Sequence, residues 1–185
     1  MTSGEILKLL AGSGDEEAQI DARILCEELE GEALSIAAAR RAKGEPLAYI
    51  LGHRHFWRGD FKVVPGVLIP RPDTELVVEC ALRYLGLHDL ATGDVLDIPA
   101  VSGLTEVRFA DICTGTGCIG ISIANEIKAS GLKVTGVLTD ISDDAISVAK
   151  YNAKAKIGIV DITHIGIIPA NTFSSNIACS YNFII

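Results

Sequence analysis

Hydrophobic periodicity divides the chain into a helical first part and an alternating second part. Apolar residues recur at helical spacing between Ala18 and Leu29, and a further helix is predicted from about Glu32 to Lys43. We expect this helix to end before Pro46, which cannot continue it. Thr2 to Glu5 fits a capping box at the start of an earlier helix. Residues 1–44 are therefore predicted to form a small helical domain.

Aromatic and β-branched residues then flank a turn centred on a glycine. Tyr49 to Trp57 and Phe61 to Val64 are predicted to be the two strands of a hairpin, with Arg58-Gly59-Asp60 at its turn. The segment that follows the hairpin contains three prolines, which interrupt regular secondary structure. We therefore expect residues 45–72 to be a linker that contains a β-hairpin.

Strand and helix alternate in the remaining residues, 73–185. The pattern predicts helices from about Asp73 to Leu85, Cys118 to Ala129 and Ser142 to Lys156, and strands at Val107 to Ile112, Lys133 to Thr139, within Ile157 to Ile168 and at Tyr181 to Ile185. Leu90 to Glu106 fits either a loop or a short extra strand. Because strands that alternate with helices pair in parallel, the expected fold class is α/β with a doubly wound sheet.

Composition narrows the possible partners and location. With 49% hydrophobic residues among 185, the chain can bury a substantial core. Its formal net charge of −8 weighs against a nucleic-acid substrate, since phosphate-binding surfaces carry excess Lys and Arg. The five cysteines form no CxxC pair, and Glu5 and Lys8 interrupt any signal-peptide pattern. The uncharged stretch from Ile162 to Ile185 is too polar for a membrane span. We expect a reduced, cytoplasmic protein.

The candidate chemistry lies in Asp111-Ile-Cys-Thr-Gly-Thr-Gly-Cys-Ile-Gly120, between a predicted strand and helix. Its three glycines satisfy the GxGxxG spacing, and Asp140 ends the next strand as a ribose-binding acid should. This pattern permits a nicotinamide dehydrogenase, and a turn used only for packing is a further alternative. The carboxylate of Asp111 favours S-adenosylmethionine, which has cationic groups and no phosphate.

Several motifs together identify a resemblance. Gly44-Glu-Pro-Leu-Ala-Tyr-Ile-Leu-Gly52, Phe56-Trp57, Val67-Leu-Ile-Pro-Arg-Pro-Asp-Thr-Glu75, the glycine-rich turn and Thr139-Asp-Ile-Ser142 resemble the HemK/PrmC family of release-factor glutamine methyltransferases. The resemblance implies an N-terminal helical domain, a hairpin linker and a Rossmann-like class I methyltransferase domain. It also implies methylation of the glutamine side-chain amide in a Gly-Gly-Gln motif, with peptide-chain release factors as partners and no metal.

Site residues follow from the same resemblance. The predicted cofactor-binding residues are Asp111, Cys113, Thr114, Gly115, Thr116, Gly117, Asp140 and Asn171, the last near the adenine. Arg71, Asp73 and Glu75 are interpreted as substrate-binding, although acids also suit a helix start.

The Asn-Pro-Pro-Tyr motif that holds the glutamine in this family is absent from the 185 residues, so no catalytic residue is expected in them. The resemblance thus implies an incomplete sheet and an inactive chain. A non-catalytic cofactor-binding or interaction fragment, or a nucleic-acid amine methyltransferase, stays an alternative.

Overall fold

A computed structural model describes residues 2–10, 15–87, 101–156, 165–169 and 183–185. The chain divides into two compact units, Met1–His53 and Arg54–Ile185. Their boundary lies within residues 45–72, the predicted linker. No helix in the described ranges has the length and apolar character needed to cross a lipid bilayer.

The first unit is a small bundle of helices. They are α1 (Ser3–Leu10), α2 (Asp15–Glu28), α3 (Gly31–Ala42) and α4 (Leu47–Leu51). Their apolar faces meet in a core of Ile6, Leu10, Ala18, Ala22, Leu25, Leu34, Ala37 and Ala38. The predicted capping box is confirmed, because the Thr2 N–H donates to Glu5 Oε2 at 2.7 Å and the Glu5 N–H donates to Thr2 Oγ1 at 3.3 Å.

The strand predicted to begin at Tyr49 is wrong in its first part. Tyr49 lies in α4, where its N–H and that of Ile50 donate to the Pro46 carbonyl at 3.0 and 3.2 Å. Proline suits a helix start, where its missing N–H costs nothing, and Gly52 ends the helix in the left-handed region at φ 81°. Local capping therefore outweighs the β-like composition of this segment.

The predicted hairpin lies in the second unit except for its first residue, His53. Its strands are β1 (His53–Phe56) and β2 (Gly59–Lys62), which pair in a two-stranded sheet. Its turn is at Trp57-Arg58, so Gly59 and Asp60, predicted to be in the turn, belong to the second strand. A short 3₁₀ helix, Pro72–Thr74, then leads into α5 (Glu75–Tyr84). The α-helix thus begins two residues later than Asp73, because the first turn has the tighter 3₁₀ geometry.

Within the described residues, the main sheet has four parallel strands in the order β5-β4-β3-β6. The strands and their crossover helices are β3 (Glu106–Ile112), α6 (Cys118–Ala129), β4 (Lys133–Asp140), α7 (Asp143–Lys156), β5 (Ile165–Pro169) and β6 (Phe183–Ile184). Both helices contact β4 and each other, so they cover the same face. The predicted α/β class with a parallel sheet is confirmed. Because Ile112 pairs with Thr139, the turn after β3 and the end of β4 lie side by side at the carboxyl-terminal edge of the sheet.

Phe109 on β3 belongs to the hydrophobic core of the second unit. It is fully buried with Leu138, Ile121 and Ile123. On the neighbouring strand, Gly136 leaves the space that its ring fills, since a Cβ at Gly136 would lie 2.7 Å from Phe109 Cζ. The packing of β3 on β4 therefore depends on a large residue facing a position without a side chain.

We expect Gly136→Ala to lower the free energy of unfolding by about 1–3 kcal/mol, because the added methyl overpacks the core. A second substitution, Phe109→Leu, removes the clashing ring atoms, so the double variant should lose less than the sum of the two single losses. Urea unfolding of the four proteins measures this coupling. Simple additivity would contradict the proposed contact.

Candidate functional site

The turn between β3 and α6 has an unusual backbone. In the Gly loop, defined as residues 113–117, Cys113, Gly115 and Gly117 have φ angles of 61°, 57° and 80°. Gly117 is the N-cap of α6, and a Cβ there would lie 2.8 Å from Ile121 Cδ1. Glycine is therefore required at Gly117 both by the left-handed conformation and by the close packing of the helix start.

Asp111 holds the Gly loop from the strand side. Its side chain is 2% exposed, and its Oδ2 accepts the Thr114 hydroxyl at 2.6 Å and the Gly120 N–H at 3.1 Å. A Cβ at Gly120 would lie 2.8 Å from that oxygen. The third glycine of the motif thus makes room for a carboxylate, which satisfies a free N–H in the first turn of α6.

Asp140 holds the same loop from the neighbouring strand. Its Oδ2 accepts the Gly115 N–H at 2.9 Å, and its Oδ1 accepts the Ser142 N–H at 2.9 Å. The Ser142 hydroxyl in turn accepts the Ala145 N–H at 3.3 Å, which confirms the predicted cap of α7. Asp140 therefore links the Gly loop to the start of the next helix.

Burial changes the titration of this site. It raises the pKa of Asp111 to about 6, the Asp140 charge adds to the rise, and hydrogen bonds from Thr114 and Gly120 oppose it. Burial also raises the pKa of the Cys118 thiol to about 11, so this cysteine is protonated at neutral pH. The site therefore holds a carboxyl group whose charged form is destabilised by its surroundings.

The opposite side of the Gly loop is open. A Cβ at Gly115 would meet no atom within 4 Å, and Cys113 is exposed. Next to Asp140, the side chain of Ile141 is 90% exposed. The carboxyl-terminal end of the sheet therefore presents a left-handed backbone segment and an apolar side chain to a ligand, beside Asp140, which is 9% exposed.

The structure brings the predicted cofactor-binding residues of 111–117 and Asp140 together at this edge. Thr114 and Thr116 are buried, and Asn171 lies outside the described residues. Contacts of Thr114, Thr116 and Asn171 with a cofactor stay predictions. The same holds for Asp111, whose Oδ2 accepts hydrogen bonds from Thr114 and Gly120.

The predicted substrate segment has two exposed side chains, Arg71 and Asp73. Glu75 differs, because its Oε1 accepts the Trp57 N–H at 2.8 Å and so holds the hairpin turn. Trp57 itself has a φ of 55°, a conformation that large side chains rarely adopt. A role for these three residues in substrate binding stays a prediction.

Two residues at this site were missed by the sequence analysis. Ile141 is a large apolar residue in the turn after a strand, where a polar residue is expected. Asn152 is 1% exposed and donates to the Thr116 carbonyl at 2.9 Å. It follows Ala145 and Ala149 at helical spacing, so a polar residue at a core position was the signal that could have revealed it.

Among curated proteins, the chain is 44% identical over 115 residues to a release factor glutamine methyltransferase of Aliivibrio fischeri, covering 62% of this chain and 33% of that protein. It is 35% identical over 175 residues to one of Moorella thermoacetica, covering 84% and 54%. The resemblance to the HemK/PrmC family is confirmed. No family model matches the chain.

The chain spans about a third of the length of most of the HemK/PrmC relatives it matches, for instance 35% of a Vibrio cholerae release factor glutamine methyltransferase. Among solved structures it is similar to the N-terminal domain of human METTL16, with 20% identity, a TM-score of 0.44 and coverage of 76% of this chain and 46% of that one. The fold described above rests on the strand order and not on this likeness. Within the described ranges, no group of three or more His, Cys, Asp or Glu side chains could hold a metal ion.

We expect the stability of the protein to report the titration of Asp111. Because its pKa of about 6 lies above the unfolded value, the folded state binds the proton more tightly, and stability is lost as pH rises from about 4 through about 6. A shift of about two units corresponds to about 3 kcal/mol. Asp111→Asn removes this loss and keeps an oxygen for Thr114 and Gly120.

Chemical denaturation between pH 4 and 7 measures the effect as a difference between the two proteins, so that carboxylates common to both cancel. The Asn variant should gain stability relative to the wild type as pH rises. A constant difference across this range would show that Asp111 is not the group responsible.

Proposed function

We propose that the Gly loop and Asp140 bind S-adenosylmethionine and that this site serves methylation of the glutamine side-chain amide of the Gly-Gly-Gln motif in release factors, a reaction that also needs the Asn-Pro-Pro-Tyr motif absent from the 185 residues. The single observation that carries the cofactor proposal is the 2.9 Å contact between the Gly115 N–H and Asp140 Oδ2. Because of this contact, one N–H group of the loop already donates to a negatively charged carboxylate. The loop is therefore less suited to a negatively charged ligand.

A dinucleotide-binding loop presents backbone N–H groups at a helix start to the phosphates of its ligand. Here the Gly115 N–H already donates to a carboxylate, whose charge would repel a phosphate. S-adenosylmethionine lacks phosphate, and its ammonium and sulfonium groups are attracted by an acidic site. The geometry therefore supports this cofactor over a nicotinamide dinucleotide.

The residues present fit this cofactor. The open face at Gly115 and the exposed Cys113 leave room for its methionine part. Oδ2 of Asp140 accepts the Gly115 N–H and Oδ1 accepts the Ser142 N–H, and each carboxylate oxygen keeps capacity to accept a ribose hydroxyl. The exposed side chain of Ile141 offers an apolar surface to the adenine. When bound, the cofactor would supply an electrophilic methyl group on sulfur.

The substrate proposal comes from the relatives, whose names state release factor glutamine methylation. Arg71 and Asp73 are exposed, and just before them Val67 packs against Ala145 and Val148 on α7. This packing holds the segment along the helix that starts beside Asp140, where polar side chains can contact a protein substrate. A cytoplasmic location stays a prediction.

Two alternative functions, nucleic-acid methylation and cofactor binding without catalysis, differ from release-factor methylation in their substrate or in the absence of methyl transfer. A nucleic-acid amine methyltransferase would share the cofactor, but the net charge of −8 disfavours a phosphate backbone as partner. A non-catalytic cofactor-binding module would bind the cofactor and transfer nothing under any condition. Binding and transfer are therefore tested separately.

We expect Asp140→Ala to weaken binding of S-adenosylhomocysteine about 10- to 150-fold, because it removes a charge-assisted hydrogen bond of about 1.5–3 kcal/mol. Isothermal titration calorimetry measures the affinity. Asp143→Ala is the matched control, since it removes the same charge from an exposed position in the first turn of α7. If NADH binds the wild type and S-adenosylhomocysteine does not, the cofactor proposal is wrong.

For catalysis, we expect the 185-residue chain to transfer no detectable methyl group from labelled S-adenosylmethionine to a release factor. The glutamine nitrogen is a poor nucleophile, and groups that position it contribute about 10²–10³ in rate. A chain extended through Asn-Pro-Pro-Tyr and the remaining strands should transfer the label, and replacing the Asn of that motif by Ala should abolish transfer. Transfer by the 185 residues alone would show that the catalytic groups lie elsewhere.

A further inference from the structure

One buried amide joins the hairpin to the Gly loop. Asn152 is 1% exposed on α7, and its Oδ1 accepts the Lys62 N–H at 2.8 Å. Its Nδ2 donates to the Lys62 carbonyl at 3.1 Å and to the Thr116 carbonyl at 2.9 Å. A single side chain therefore pairs with both backbone groups of a residue in β2 and with a carbonyl of the loop.

The loop depends on this amide for a buried hydrogen bond. Thr116 is 2% exposed, and its carbonyl belongs to the peptide group that joins it to Gly117. Gly117 is the N-cap of α6 and has a φ of 80°. An unsatisfied buried carbonyl is costly, so without the Asn152 donor this peptide would rotate or admit water. Rotation of this peptide would move the backbone next to Gly115, the open position of the loop, and entry of water would loosen its hold.

The far end of the hairpin is held by different contacts. The Trp57 indole N–H donates to Glu126 Oε1 at 2.8 Å, and Arg58 Nη1 donates to Glu126 Oε2 at 3.0 Å. These contacts join the hairpin turn to the last part of α6, away from the Gly loop. They allow hairpin anchoring in general to be separated from the contact through Asn152.

We propose that Asn152 is a positioning residue through which docking of β2 sets the ligand-binding geometry of the Gly loop. The proposal rests on the proposed function only for its ligand, S-adenosylhomocysteine. Cofactor affinity would then depend on the state of the hairpin, a segment that contributes no residue to the open face of the loop described above.

The experiment compares Asn152→Asp and Asn152→Leu with Trp57→Phe in the full chain. The Asp variant keeps the acceptor for Lys62 but loses both donated hydrogen bonds, and the Leu variant loses all three. Trp57→Phe removes the indole donor at the far end and part of the ring that packs against the core and Arg58, and it leaves the three hydrogen bonds of Asn152 in place. Calorimetry gives the affinity for S-adenosylhomocysteine, and urea unfolding gives the stability of each protein.

A second readout needs no ligand. Cys113 is exposed on the Gly loop, so its alkylation rate by iodoacetamide, followed by peptide mapping, reports the loop conformation. Cys80 on α5 serves as the internal reference. We expect both Asn152 variants to weaken ligand binding about tenfold or more and to change the Cys113 rate relative to Cys80. Trp57→Phe should lower stability and leave both readouts unchanged.

The Asp variant also offers a partial rescue. When protonated, its side chain regains one donor, so its deficit relative to the wild type should be smaller at pH 5 than at pH 8. The inference is overturned if the Asn152 variants lose stability while ligand affinity and the Cys113 rate stay at wild-type values, or if Trp57→Phe shifts both equally. If the wild type binds no S-adenosylhomocysteine, the function proposal fails, and the Cys113 rates still decide the role of Asn152.

Discussion

The turn between β3 and α6 leaves backbone N–H groups without helix or sheet partners, and two aspartates accept them. Asp111, next to the last residue of β3, accepts the Gly120 N–H, and Asp140, the last residue of β4, accepts the Gly115 N–H, so the loop is held from two neighbouring strands. Because the strands are in register at Ile112 and Thr139, the two acids meet at one edge. The shape of the candidate site therefore depends on charge-assisted hydrogen bonds to backbone.

Much of the sheet could be predicted from the sequence, because α/β alternation is a strong local signal. The bounds of α6 agree with the prediction, and the Ser142 cap is present as its residue type indicated. The strand predicted from Tyr49 failed where capping by Pro46 and Gly52 competed with β-forming composition. Capping depends on the backbone geometry of the two residues that flank the helix, so the spacing of hydrophobic residues does not reveal it.

The sequence predicted which residues lie together at the candidate site, but it did not predict the partners that two of its carboxylates have within the protein. The attraction of Asp111 for a cationic ligand stays a prediction, whereas the two hydrogen bonds that its Oδ2 accepts from Thr114 and Gly120 were not anticipated. Glu75 likewise accepts a backbone N–H from Trp57. Motif spacing shows which residues are near each other, while the partner of a carboxylate depends on which N–H groups the folded backbone leaves free. That information is absent until the turns are formed.

The site also concentrates features that are locally unfavourable. Cys113 is held at φ 61°, and burial raises the pKa of Asp111 to about 6, so its charged form is destabilised at neutral pH. Strain of this kind costs of order 1–3 kcal/mol and persists only where surrounding contacts over-determine the conformation. Here those contacts are the hydrogen bonds of Asp111, Asp140 and Asn152 to the loop. Since packing alone would be served by an ordinary turn, the combination favours a ligand-binding role for the loop over a purely structural one.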